Sequence, residues 1–203
     1  VKIHIMTSSK DIDNMLWNIY YAGKVCYDAS HTENKYVRDL FIRRLIKSGH
    51  ESVIEHGSAT FRINGISRAC SHQLVRHRLA SYSQRSQRYV KEDTPSYVTP
   101  PEIEKSDYLS MVYENQMKDA WQRYRQLIGA GVSKEDARFV LPNACTTEIM
   151  MTMNFREIRH FLKLRLAKNA QWEIRKLAEC VRTAMISIGA GVIVEGIDNE
   201  PSN

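Results

Sequence analysis

Fourteen residues, 76–89, hold four arginines, a histidine, three serines and two glutamines in the order Arg-His-Arg-Leu-Ala-Ser-Tyr-Ser-Gln-Arg-Ser-Gln-Arg-Tyr. These residue types at this density suit an anion. Each arginine presents a planar fork of donors that matches a phosphate bidentately, and serine hydroxyls add shorter bonds around it. Tyr82 and Tyr89 offer flat faces on which a ring could stack. Two other readings stand beside this one: a solvated basic face, the ordinary meaning of a charge run, and a nucleic-acid-binding module whose arginines meet backbone phosphates while its tyrosines stack on bases. Ser86 is poorly placed to be a nucleophile, because Arg85, Gln87 and Arg88 cannot take its proton at neutral pH; phosphate binding is its simpler role. A second polar run, His50-Glu51-Ser52-Val53-Ile54-Glu55-His56, contains metal-ligand types but lacks the His-Glu-x-x-His spacing that sets two imidazoles on one helical face. Ile54 stands at the second ligand position, so no metal site is expected.

The elements that must place these residues are legible from periodicity. Val1, Ile3 and Ile5 alternate with Lys2 and His4, as in a half-buried strand. Ile12, Met15, Leu16, Ile19 and Tyr20 recur at helical spacing behind the capping residues Ser8, Ser9 and Asp11. A second helix is predicted after Thr32, with Tyr36, Val37, Leu40, Phe41 and Leu45 buried and Gly49 ending it. A strand over 58–63 is followed by a turn at Asn64-Gly65. A short helix then carries Ile66, Ala69, Cys70 and Leu74 on one face and Arg68, His72, Gln73 and Arg76 on the other, and delivers the basic stretch. Three prolines make 92–101 a loop. The long helix after it has a Met and aromatic stripe (Tyr108, Met111, Val112, Ala120, Trp121, Tyr124, Leu127) that reads as core or subunit interface. Ser133 opens a short helix that Pro142 stops, and 146–153 is strand-like. Asn154 with Glu157 reads as a capping box opening a helix through Arg165, on which Asn154, His160 and Arg165 need not share a face and are expected to line different parts of one pocket. A last long helix spans about 170–188, and 189–203 reads as a loosely held tail. The pattern predicts an α+β fold: a single domain over 1–203, with a mixed or antiparallel sheet flanked by several helices. No Gly-x-Gly-x-x-Gly loop is present, so no Rossmann crevice is expected.

At 203 residues, 43% hydrophobic and 26% charged, the chain has the apolar content for one sizeable core. Its net charge of +6 and pI near 9.1 point to an anionic partner. Arginine outnumbers lysine, 17 to 12, mostly through the basic stretch and the C-terminal third, which favours discrete phosphate pockets over a nucleic-acid stripe. Cys26, Cys70, Cys145 and Cys180 show no Cys-x-x-Cys spacing and read as reduced core thiols of a cytoplasmic protein. No apolar run approaches the roughly 20 residues needed to span a bilayer. The N-terminus lacks the basic and apolar regions of a signal peptide, so neither membrane nor secretion is expected.

Arg76, His77 and Arg78, then Ser81, Ser86 and Arg88, form a pattern that resembles the signature of the flavin-dependent thymidylate synthases. The likeness continues in Gly49-His50-Glu51-Ser52, Glu55-His56, Ala137-Arg138-Phe139-Val140-Leu141-Pro142, Asn154-Phe155-Arg156, Phe161-Leu162-Lys163-Leu164-Arg165 and Ala170-Gln171-Trp172-Glu173, from about residue 25 to about residue 180. It implies reductive methylation of dUMP to dTMP, with 5,10-methylenetetrahydrofolate as carbon donor and FAD, reduced by NADPH, as hydride source. It places dUMP at Gln73, Arg76, Gln84, Arg85, Ser86, Arg88, Arg138 and Arg165. It places FAD at His56, Ser58, Arg76, His77, Arg78, Gln84, Asn154, Arg156 and His160. Arg165 matches the arginine that polarises the uracil and is the catalytic residue the resemblance implies. Gln84, His160 and Asn169 fall where relatives can carry glutamate, asparagine and histidine. The family forms homotetramers whose active sites are shared between subunits, with no nucleic-acid or membrane partner. C5 of dUMP is a poor nucleophile until the ring is activated. One route, attack of an enzyme cysteine on C6, needs a favoured thiolate, yet no cysteine lies in the basic stretch, and Cys145 sits beside a predicted strand. The resemblance implies the flavin route instead. A flavin-dependent methylase of uridine in RNA is the other enzyme reading.

Overall fold

The computed structural model describes residues 1–26 and 32–197. In chain order the elements are β1 (Lys2–Ile5), α1 (Ser9–Val25), α2 (Lys35–Lys47), a 3₁₀ turn (Glu51–His56), β2 (Ser58–Ser67), α3 (Arg68–Leu74), β3 (Ala80–Gln84), α4 (Pro101–Glu104), α5 (Asp107–Gly129), α6 (Lys134–Ala137), a second 3₁₀ turn (Arg138–Val140), β4 (Thr146–Asn154), α7 (Phe155–Arg165), α8 (Trp172–Ser187) and α9 (Gly191–Val194). Among the described residues the strands form one antiparallel sheet in the order β1-β2-β4-β3, which gives the α+β class expected from the sequence. By its contacts the chain divides into two compact units: the described parts of Val1–Ile63, Leu74–Tyr82 and Met150–Asn203, and then Asn64–Gln73 with Ser83–Ile149.

In the first unit α1 starts at a true capping box. Ser8 Oγ accepts from Asp11 N–H at 3.2 Å and Asp11 Oδ2 accepts from Ser8 N–H at 3.3 Å, so two otherwise unpaired donors satisfy each other's residues. The helix buries Ile12, Leu16, Ile19 and Tyr20, one stripe at the 3.6-residue period. Asn34 caps α2 through its side chain. Phe61, Ile63, Met151 and Met153 of the strands, Phe155, Ile158 and Phe161 of α7 and Leu177 and Val181 of α8 are fully buried core residues. The expected loose tail is not found over 190–197. Val192, Ile193 and Val194 are buried, and the buried Arg159 donates to Ile193 O at 2.5 Å and Glu195 O at 3.2 Å. A guanidinium out of water needs acceptors, and this segment provides them. Residues 198–203 of the expected tail lie outside the described residues.

In the second unit the C-terminal half of α5 buries Met117, Ala120 and Trp121 around Cys145, with Tyr97, Tyr113, Leu141 and Ala144 packed on them. The N-terminal half leaves Tyr108, Met111 and Val112 exposed, so only part of the predicted stripe is core. The Asn64-Gly65 pair does not turn the chain. Gly65 takes φ +76° and the strand runs on to Ser67, which is how a glycine inside a strand marks a bend rather than a reversal. β3 was unforeseen because Ser81-Tyr82-Ser83-Gln84 has no β-branched residue, although its burial alternates as a strand's must. Among the cysteines, Cys70 and Cys145 are buried as expected, whereas Cys180 is half-exposed and Cys26 is exposed at the end of α1.

Candidate functional site

In the first unit a cavity of about 990 Å³ is lined by Arg76, His77, Arg78 and Leu79, by Asn154, Arg156, Glu157, His160, Lys163, Leu164 and Arg165, and by Glu51 and Glu55. Three segments place them. Asn154 ends β4 and caps α7, its Oδ1 accepting from Glu157 N–H at 2.8 Å, so the helix begins at the cavity with no linker. Along α7, positions 156, 157, 160, 163 and 164 fall on one side at helical spacing. The 3₁₀ turn presents Glu51 and Glu55, four residues apart. Asn154, His160 and Arg165, for which the sequence predicts no common face, all reach this one cavity. His56 and Ser58 are not part of its lining: His56 is exposed at the end of the 3₁₀ turn, and Ser58 N–H lies 3.4 Å from Met15 Sδ.

The lining has five basic and three acidic side chains, and their pairing is specific. Arg156 Nη1 donates to Glu55 Oε1 at 2.6 Å, and Lys163 Nζ stands 3.4 Å from Glu51 Oε1. His77, only 4% exposed, has Nδ1 2.9 Å from Glu157 Oε1 and receives a hydrogen bond on Nε2 from Arg165 Nε at 3.0 Å. Tyr82 Oη donates to Leu74 O at 2.9 Å and to His77 O at 3.1 Å. Burial pushes the His77 ring below its ordinary pKa; Glu157 opposes that shift and Arg165 adds to it. Burial, with Glu157 close by, likewise pushes the Tyr82 phenol up, so it stays a donor. His77, Glu157 and His160 also bring ligand atoms within 4.8 Å of one another, a set the sequence does not reveal. It suits a cation poorly, since both His77 nitrogens have partners and the Arg165 guanidinium carries positive charge to the same ring.

The second unit carries the other predicted residues. Gln84 Nε2 donates to Ser71 Oγ at 3.0 Å and Thr147 Oγ1 at 3.2 Å. Arg88 Nε donates to Glu135 Oε2 at 2.8 Å, Arg85 faces Glu92 at 3.6 Å, and Arg138 Nε donates to Glu135 O at 3.0 Å. Ser86 Oγ accepts from Arg88 N–H at 3.2 Å, and Gln73 is half-buried on α3. The Arg88–Glu135 pair is half-exposed, and such surface pairs contribute about 0–1 kcal/mol. Arg68, absent from the predicted set, is half-buried here; burial first and Arg138 second hold its guanidinium below the usual arginine pKa.

Sequence reasoning did not single out Leu79, Glu157, Lys163 and Leu164 as cavity residues, and from the segment 50–56, which the resemblance sets beside the flavin, it named His56 rather than Glu51 and Glu55. Glu157 carried a signal as the acid of an expected capping box, but its carboxylate goes to His77 rather than back to the Asn154 backbone. Lys163 and Leu164 lie in the matched run 161–165, where only Arg165 was singled out.

Residues 10–188 match the family model described as thymidylate synthase complementing protein. A flavin-dependent thymidylate synthase of Geobacter sulfurreducens is 53% identical over 140 residues, 68% of this chain and 60% of that relative. One of Thermococcus onnurineus is 46% identical over 144 residues, 69% of this chain and 59% of the relative. These matches span about 60% of the relatives' own length. One of Clostridium tetani is 42% identical over 180 residues, covering 77% of this chain and 72% of that relative. Among solved structures, a UMP/dUMP methylase of Streptomyces cacaoi bound with 5-Br dUMP superposes with TM-score 0.79 at 25% identity, covering 96% of this chain and 93% of that one. Thymidylate synthase X of Helicobacter pylori with FAD and dUMP superposes with TM-score 0.78 at 21% identity, covering 96% and 100%, a likeness of fold. By the family match across residues 10–188 and its identity to these relatives, the chain belongs to the flavin-dependent thymidylate synthases, the thymidylate synthase complementing protein family.

Proposed function

We propose that this chain methylates dUMP to dTMP reductively, taking carbon from 5,10-methylenetetrahydrofolate and hydride from FAD that NADPH has reduced. The observation that carries the reading is the basic cavity of the first unit in a chain of this family: Arg76, His77, Arg78, Asn154, Arg156, His160 and Arg165 on one wall set. The residues fit the cofactor. A volume of about 990 Å³ lies at the upper end of the roughly 300–1,000 Å³ usual for cofactor sites, and arginines suit the diphosphate of FAD. When bound, the flavin supplies the hydride that turns the transferred carbon into a methyl group.

The chain's own residues then divide the work. Arg76, Arg78 and Arg156 meet the negative charge of the cofactor, while Asn154 and His160 offer it hydrogen bonds. Arg85, Ser86, Arg88 and Arg138, with Gln73 and Gln84, hold the nucleotide, exchanging acidic partners such as Glu135 for phosphate. Arg165 keeps a fixed positive charge beside the pyrimidine while C5 becomes nucleophilic, a role worth roughly 3–4 kcal/mol at comparable sites. No enzyme cysteine is needed. The Cys145 thiol is pushed up to about 12 by burial and is no thiolate at neutral pH. The same reading takes the chain as a single functional domain, assembled as a homotetramer with shared active sites, in the reducing cytoplasm that suits unpaired thiols.

The test is direct. Protein reconstituted with excess FAD and washed is expected to show a flavin absorption band and to convert dUMP to dTMP with methylenetetrahydrofolate and NADPH. UMP and uridine-containing RNA run beside it as competing substrates. A colourless protein sinks the cofactor assignment, and methylation of RNA alone moves the substrate to the other enzyme reading.

A further inference from the structure

We propose that Glu157 is a positioning residue: through the Nδ1–H tautomer of His77 it sets the guanidinium of Arg165 on the cavity wall. The role of Arg165 in the reaction rests on the function proposed above; the relay itself does not. An arginine Nε–H can only donate, so the 3.0 Å bond from Arg165 Nε to His77 Nε2 requires a bare nitrogen there. A neutral imidazole then carries its proton on Nδ1, which lies 2.9 Å from Glu157 Oε1. The carboxylate thereby selects the tautomer that accepts from Arg165, as a partner on one ring nitrogen selects what the other can do.

The surroundings keep the ring in that state. His77 and Glu157 are each 4% exposed. The imidazole stands edge-on to Phe161, with centroids 5.1 Å apart, and to His160 at 5.8 Å. Its backbone carbonyl is held by Tyr82 Oη. The charged and titratable groups acting on the ring are Glu157, Arg165 and His160. A protonated His77 would turn Nε2–H against Arg165 Nε–H, so the contact exists only with the neutral ring. Holding a reacting or polarising group to within a fraction of an ångström is what such a relay contributes to rate.

Nuclear magnetic resonance on the ¹⁵N-labelled full chain, without ligands, reads the relay directly. The His77 ring is expected to show protonated Nδ1 and bare Nε2 above pH 6.5, with a hydrogen-bonded, slowly exchanging Arg165 Nε–H. Glu157→Gln, which can accept or donate, is expected to mix the tautomers and speed exchange of that proton; Glu157→Asp should retain part of both signals. In single turnover at saturating dUMP and methylenetetrahydrofolate, Glu157→Gln should react roughly 10–100-fold more slowly, by analogy with the carboxylates that orient metal-bound histidines, with dUMP affinity little changed. Protonated Nε2 in the unsubstituted chain overturns the proposal, as does a Glu157→Gln protein that keeps the tautomer, the Arg165 signal and the rate. If that variant does not fold, the unsubstituted tautomer and Glu157→Asp decide. Failure of the unsubstituted chain to form dTMP would count against the proposed function and leave the relay to the resonance arm.

Discussion

A lysine at position 165 would keep the positive charge but lose both the planar fork and the Nε–H that meets His77. Arg165→Lys is therefore expected to retain part of the dUMP affinity and to lose roughly a hundredfold in rate, read as oxidation of pre-reduced flavin at saturating substrates with affinity measured separately. A normal rate would assign the activating charge elsewhere. Cys145 offers the complementary check. Its thiol, buried and raised to about 12, should resist alkylation at pH 8 while the exposed Cys26 reacts, and Cys145→Ser that folds should keep turnover; abolition of turnover with flavin content intact would restore a cysteine mechanism. At this scale the basic residues were legible because Arg76, His77 and Arg78 are contiguous and chemically unambiguous. Glu157 was not, because the bond that gives it meaning spans 80 positions of sequence, and no local spacing encodes that.

α7 is the element on which the cavity depends, and its start is tightly built. Asn154 caps it through its side chain, and Phe155 packs fully buried against Gly57, where an added Cβ would overlap the aromatic ring at Cε2 and Cδ2. Gly57 has ordinary extended backbone, so the constraint is space rather than conformation. Gly57→Ala should cost about 1–3 kcal/mol through overpacking, measured by denaturant unfolding, and should weaken FAD binding by tilting Asn154 and Arg156. An unchanged midpoint would mean that Phe155 has room to move. The caps and α1 were readable here because periodicity and side-chain capping are local: Ser8, Asn154 and the α1 stripe lie as expected, whereas on α2 Tyr36 and Val37, expected on its buried face, are exposed and Arg38 and Ile42 are buried in their place. β3 was hidden by its polar composition, and Asn64-Gly65 looked like a turn although the strand's hydrogen bonding carries it on to Ser67.

For the chain as a whole, the consequence of a neutral buried imidazole is a pH dependence with a definite sign. Between its depressed folded value and the ordinary 6.5, the unfolded chain binds a proton at His77 that the folded chain does not. The stability from keeping the ring neutral is therefore fully present above 6.5 and is lost as pH falls through the folded value. Asp13, held below 3.8 chiefly by Arg38, acts in a lower window. Thermal midpoints taken from pH 8 to pH 5 should fall more steeply for the unsubstituted chain than for His77→Gln; parallel slopes would mean that His77 titrates normally. The overall basicity and the α+β class were visible in composition and pattern. The packed segment 190–197 was not, because its reason for staying lies in Arg159, whose acceptors on it stand 34 and 36 positions away. The ring of His77 also bears on how the sequence can change over time. Its two nitrogens each have one partner, so substitutions at 77, 157 and 165 do not add. The first loss at 77 or 157 is costly, and after it the other of the two matters far less, while the charge of Arg165 keeps its own role. A lineage drifting one substitution at a time is therefore expected to keep or give up His77 and Glu157 together, apart from Arg165.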